Sequence, residues 1–133
     1  ALRRRGWKVV DVGARSARRS DYPVVTLRAA RPVGRNAGRL AVGIGVCGTG
    51  IGVSIVAAKV PGVLPANPDS VAGARETRSH NNSNFLGLSA DVLSRTKALA
   101  IAEAWLHEPF FTDPARDEPY LRRYLQTIRL DRR

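Results

Sequence analysis

The chain of 133 residues contains one cysteine, two histidines and no methionine. One cysteine cannot close a disulfide within the chain, so a disulfide-built fold is excluded and a reducing compartment is expected. No Cys/His spacing of the zinc type occurs, so no metal site is expected. Aromatic residues are only 6% of the chain and do not interleave with the basic ones, which disfavours nucleic-acid binding. No apolar run approaches the roughly 18–20 residues of a membrane span. The basic front does not lead into an apolar segment with a signal-type cleavage site. A cytoplasmic protein off the membrane is therefore expected, where the sequon-like Asn81-Asn82-Ser83 carries no meaning. With no methionine there is no initiator, which points to a chain processed or shortened at its front.

Charge, by contrast, is abundant and one-sided. The formal net charge is +11, and 19 of the 22 basic residues are arginine. Residues 1–40 hold 11 basic and 2 acidic residues, whereas residues 41–133 hold 11 and 9. A basic end can attract a polyanion, but a GC-rich coding bias toward arginine, alanine and glycine accounts for the composition as well. With 44% apolar residues, the chain can bury the core of a single domain spanning 1–133.

The apolar pattern alternates between strand and helix signals. Leu2 to Arg5 reads as a helix end capped by Gly6. Trp7 to Val12 alternates and is β-branched, so it reads as a strand stopped by Gly13. Asp21 can cap a helix with Pro23 in its first turn, continuing to Ala30 and ending before Pro32. Gly34 to Gly38 is a loop and Leu40 to Val46 a strand. A helix closes at Val60-Pro61-Gly62, and a short strand beginning at Val63-Leu64 is interrupted by Pro65. Ser70 to Ser79 reads as a helix and Asn84 to Leu88 as a strand. Ser94 caps a helix whose apolar face includes Ala98, Leu99, Ala102, Trp105 and Leu106, ended by Pro109. A loop from Phe110 to Pro119 leads to a final helix, Tyr120 to Leu130, in a tail of residues 120–133. Strands alternating with helices predict an α/β domain with a parallel sheet covered on both faces.

The lone cysteine stands in the stretch Val42-Gly43-Ile44-Gly45-Val46-Cys47-Gly48-Thr49-Gly50-Ile51-Gly52-Val53-Ser54. An apolar strand turning through glycines into a helix leaves several backbone N–H groups aimed at one point. Here that anion-type turn carries a thiol. Gly43-Ile44-Gly45-Val46-Cys47-Gly48 also satisfies G-x-G-x-x-G, with Asp69 a candidate ribose acid. The first two glycines would lie inside the strand, however, so a nucleotide site is the lesser alternative.

The longer string Cys47-Gly48-Thr49-Gly50-Ile51-Gly52, then Ser54-Ile55 and Ala57-Ala58-Lys59-Val60-Pro61-Gly62, closely resembles the ribose-5-phosphate isomerase B and galactose-6-phosphate isomerase family. His80-Asn81 follow at the matching distance. Val9 to Gly13, Asp21-Tyr22-Pro23, Ala104-Trp105-Leu106-His107 and the tail Arg122-Arg123 extend the likeness over nearly the whole chain. The resemblance implies a three-layer, Rossmann-like, doubly wound sheet of order 2-1-3-4-5. It implies aldose–ketose isomerisation of a pentose or hexose phosphate through a cis-enediolate, without metal or organic cofactor. Cys47 matches the family's base. Thr49 can move a proton between the enediolate oxygens, and the N–H groups from Gly48 through Gly50, Ile51 and Gly52 would hold the oxyanion. His80 would assist ring opening and Asn81 bind substrate. Arg122 and Arg123 lie where the family binds phosphate.

The departures are equally specific. Asp91 stands where the family often has an arginine, and Pro65 and Pro68 interrupt Leu64 to Ser70. The family opens with a strand ending in Asp-His, whereas this chain starts at the following helix, so the first strand is expected to be absent. A gap should then lie between the Trp7 and Leu40 strands, closed by their pairing or by another chain, with weak isolated activity. The resemblance also implies a homodimer or larger assembly, or a paired, non-catalytic subunit completing a partner's site.

Overall fold

The computed structural model describes residues 1–16, 18, 20–36, 41–110 and 114–132, leaving aside the side chains of 114, 116, 117 and 132. Gly38 and Leu40, and the middle of the expected 110–119 loop, lie outside these residues. Three parallel strands form one sheet: β1 (Gly43–Cys47), β2 (Pro65–Ala66) and β3 (Phe85–Ser89). Five α-helices accompany them: α1 (Tyr22–Arg35), α2 (Ile51–Ala57), α3 (Val71–Ser79), α4 (Arg95–His107) and α5 (Pro114–Arg129).

Strand β3 sits in the centre and every residue of it is buried. Its side chains alternate between two cores, as a strand's period of two requires. Phe85 packs with Ala30, Val33, Ala57 and Val63 under α1 and α2. Leu86 and Leu88 pack with Ala74, Ile101, Ala102 and Trp105 under α3 and α4. The result is the expected three-layer, Rossmann-like α/β sandwich. Gly43 and Gly45 belong to β1, where a side chain at Gly43 would come within 2.5 Å of the Phe85 ring. These glycines make room for the core rather than turn around a phosphate, which removes the nucleotide reading of G-x-G-x-x-G.

Local signals explain most helix starts. Ser70 accepts a hydrogen bond from the Gly73 N–H at 3.1 Å, and Ser94 from the Lys97 N–H at 3.2 Å. Gly6 closes a short 3₁₀ turn over Leu2–Arg5 in the left-handed conformation. Asp21 stands at the N-cap of α1 without a side-chain cap bond.

Four expectations are corrected. Trp7 to Val12 joins no ladder, and Trp7 sits edge-on to His107 at 5.2 Å between ring centroids. It is therefore not paired with β1, and the free edge of β1 has no strand partner among the described residues. Helix α1 continues through Pro32 to Arg35, because the proline removes one bond only and Asn36 Nδ2 donates to Pro32 O at 2.7 Å. Helix α5 begins at Pro114 and contains Pro119. Finally, the strands run β1-β3-β2 rather than in chain order as 2-1-3-4-5 implies. Pro65 has no N–H to give a second neighbour, so two-residue β2 belongs at an edge.

Candidate active site

Cys47 ends β1 beside Ser89, the end of β3. The carboxyl ends of parallel strands are where such folds place their chemistry. Gly50 follows in the left-handed conformation, φ 75°, which only glycine adopts at little cost. That bend turns the chain back, so that the Gly50 N–H donates to Cys47 Sγ at 3.2 Å. The thiol is half-buried. Burial raises its pKa, but the N–H groups of Val53, Gly50, Thr49 and Gly52 stabilise the thiolate and outweigh it, so the thiol lies below its ordinary value. Thr49 Oγ1 accepts from the Ile51 N–H at 3.2 Å, and Thr49 and Ile51 are both exposed beside the sulfur.

Side chains to which sequence reasoning gave no role hold this turn. Ser89 Oγ donates to Gly48 O at 2.7 Å and accepts from the Val92 N–H at 3.1 Å. Ser54 Oγ donates to Gly50 O at 2.9 Å, and Asn67 Nδ2 donates to Gly87 O at 2.9 Å. The only signal for Ser89 and Asn67 was their place at strand ends. Asp91 packs on the turn: its Oδ2 would lie 2.7 Å from a Cβ at Gly48, and its N–H donates to Gly48 O at 2.9 Å.

The structure thus brings together Cys47, Gly48, Thr49, Gly50, Ile51 and Gly52, but not the remaining candidates. His80 caps the carboxyl end of α3, near the amino end of β3, where the Gly43 N–H donates to Asn84 O at 2.9 Å. Four strand steps of about 3.3 Å separate Phe85 from Ser89, so roughly 13 Å of sheet lies between the His80 end and the Cys47 end. The His80 ring stacks on Tyr120, with centroids 4.2 Å apart and planes at 3°. The 3₁₀ turn that follows α5 (Leu130–Arg132) reaches this same amino end, where Asp131 Oδ2 accepts from the Gly62 N–H at 2.7 Å just before β2. Arg122 pairs with Glu118 at 3.1 Å, while Asn81 and Arg123 are exposed. Within one chain the thiol and the His80–Arg123 group occupy opposite poles.

A three-layer α/β fold with a thiol in a glycine-rich strand-to-helix turn is the arrangement expected of a sugar-phosphate isomerase-like protein. The Ribose/Galactose Isomerase family matches residues 1–120, and the chain belongs to that family. It is 36% identical over 102 residues to ribose-5-phosphate isomerase B of Escherichia coli (strain K12), covering 77% of this chain and 67% of that protein. The corresponding protein of Mycobacterium tuberculosis (strain ATCC 25618 / H37Rv) is 34% identical over 110 residues, covering 82% and 67%. The structure resembles ribose-5-phosphate isomerase B from Mycoplasma genitalium with bound ribulose-5-phosphate at a TM-score of 0.89 and 32% identity, over 98% of this chain and 83% of that one. The Clostridium thermocellum ribose-5-phosphate isomerase B structure aligns at a TM-score of 0.87 and 34% identity, over 98% and 84%. Among the described residues no cluster of His, Cys, Asp or Glu could hold a metal ion, and no helix is long and apolar enough to cross a membrane.

Proposed function

We propose that this chain interconverts an aldose phosphate and its ketose, with ribose 5-phosphate and ribulose 5-phosphate as the pair, using Cys47 as base. The observation that carries the reading is the thiol lowered in pKa by backbone N–H groups at the carboxyl end of the sheet. The names of the relatives favour the pentose over the hexose. In the forward direction the Cys47 thiolate takes the proton from C2, and the C–H electron pair forms the C1=C2 bond as charge moves to O1. The N–H groups of the turn stabilise that oxyanion. Thr49 relays a proton between O1 and O2, and Cys47 then returns its proton to C1. No atom leaves and no electron is exchanged with a partner.

Geometry extends the proposal to a site shared between two copies. His80, which would open the sugar ring, and Asn81, Arg122 and Arg123, which would hold the hydroxyls and phosphate, lie at the pole opposite their own Cys47. A second copy presenting that pole to the first completes the site. Exposed Ile51 and Ile55, one turn apart on α2 beside the thiol, suit such a covered face.

The test is isomerisation of ribose 5-phosphate in D2O. Deuterium should enter the product at the transferred position, and Cys47→Ala should lower kcat by about a thousandfold or more, as expected for loss of a general base in the transition state. Turnover within a few-fold of wild type in that variant would overturn the assignment.

A further inference from the structure

A second basic feature lies away from the thiol. Helix α1 carries no acidic residue, and its arginines Arg28, Arg31 and Arg35 are spaced by three and four positions, so they share one face. Opposite that face stand Lys59, Val60 and Pro61, where α2 ends. Between them is a cleft of about 420 Å3 lined by Leu27, Arg31, Gly34, Arg35, Lys59, Val60 and Pro61. That volume falls within the range of small-molecule sites.

Among the described residues no carboxylate lines the cleft. The nearby Asp131 accepts from the Gly62 N–H and keeps its negative charge, but it does not line the cleft. Arg31, Arg35 and Lys59 are exposed and make no ion pair among the described residues, whereas Arg5, Arg75 and Arg122 are each paired with a glutamate. Both helices end here, and the carboxyl end of a helix favours cations, which is the simplest reason for finding them. But each helix end contributes only about half a negative charge, so three full positive charges leave roughly +2 facing the cleft. Leu27, Val60 and Pro61 add apolar surface beside that charge.

We infer that this cleft binds a small ligand carrying clustered phosphates, at a site separate from the Cys47 turn. The excess of about two positive charges matches a diphosphate better than a single carboxylate, and guanidinium groups pair with phosphate oxygens two at a time. The apolar wall suits the organic part of a phosphorylated metabolite. The position, past the end of α2 and at the amino end of the sheet, keeps such a ligand off this chain's own thiol. The inference therefore stands whether or not Cys47 is the base.

The probe is inorganic pyrophosphate, titrated into the wild-type chain and followed through backbone amide NMR shifts, with ADP as a second arm. Saturable shifts should fall on Leu27–Arg35 and Lys59–Gly62. The double variant Arg31→Gln, Lys59→Gln should weaken binding at least tenfold with unchanged circular dichroism. Both positions are exposed, so the fold should survive. Tighter binding of ADP would mark a nucleotide-like source that uses the apolar wall, and equal binding a plain polyphosphate; either supports the site. Shifts confined to other residues, equal affinity in the double variant, or duplex DNA that binds α1 and is not displaced by pyrophosphate would overturn it.

Discussion

The imidazole of His80 lies flat on the phenol ring of Tyr120, 4.2 Å between centroids, at the end of the sheet opposite Cys47. The stack joins the end of α3 to the middle of α5 and fixes the pole that carries Arg122 and Arg123. It orients the ring without consuming either nitrogen. The residues proposed for one reaction thus lie at two ends of one chain, and the first prediction follows from that separation.

Cys47→Ala and His80→Ala, each inactive alone, should regain activity when mixed and allowed to exchange subunits. Random pairing makes half the dimers mixed, and each mixed dimer has one intact site of two. Recovery should approach roughly a quarter of wild type, as expected for a symmetric dimer with shared sites. No recovery, with exchange demonstrated by light scattering or mass labelling, would place the whole site within one chain.

Because Cys47 is the only cysteine, its alkylation reports a single group. The N–H groups that lower its pKa predict an iodoacetamide rate rising with pH to a midpoint below that of a free thiol. The same pKa should set the acid limb of kcat/KM, with activity lost as pH falls through it. The sign for stability is the same. Interactions favouring the thiolate contribute fully above the ordinary thiol pKa and vanish as pH drops through the folded-state value. Gly50→Ala places a side chain at φ 75° and should move the midpoint upward by displacing the N–H at Cys47 Sγ. An unshifted midpoint in a folded variant would show that this N–H does not matter.

In the core, Trp105 is fully buried and its Nε1 donates to Ser83 Oγ at 2.8 Å; Ser83 in turn donates to Thr77 Oγ1 at 3.1 Å. Ser83→Ala strands the indole N–H without an acceptor and should cost about 1–3 kcal/mol in urea unfolding. A loss below 0.5 kcal/mol, on the order of an ordinary surface substitution, would mean that another acceptor reaches the indole.

The free edge of β1 makes a prediction for hydrogen exchange. Gly43 N–H donates toward β3, so the alternation of a parallel strand turns the amides of Ile44 and Val46 to the unpaired side. Val46 is 61% exposed there. These two amides should exchange faster than those of Gly45 and Cys47, and a strand seated on the edge should slow them. Equal protection of all four in the chain alone would show that the edge is already covered.

Much of this protein could be read from its sequence because the signals are local. Ser70 and Ser94 announce helix starts by bonding backbone three residues on, and Gly6 announces an end. Cys47 to Gly52 could be read as an anion-type turn because glycine spacing, strand end and helix start are all written within ten residues. The resemblance to a sugar-phosphate isomerase family could be read chiefly from the same local string, and the family match over residues 1–120 bears it out. Tertiary structure decided what depends on partners distant in sequence. Trp7 to Val12 has the pattern of a strand, yet a strand exists only where a neighbour accepts its hydrogen bonds, and β1 does not. The central place of β3 came from its burial on both faces and from Pro65 excluding β2. The bonds from Ser89 and Asn67 to the backbone around the turn follow from strand register. That His80 and Cys47 lie at opposite poles was invisible in a linear chain, because it follows from the direction in which α3 returns across the sheet.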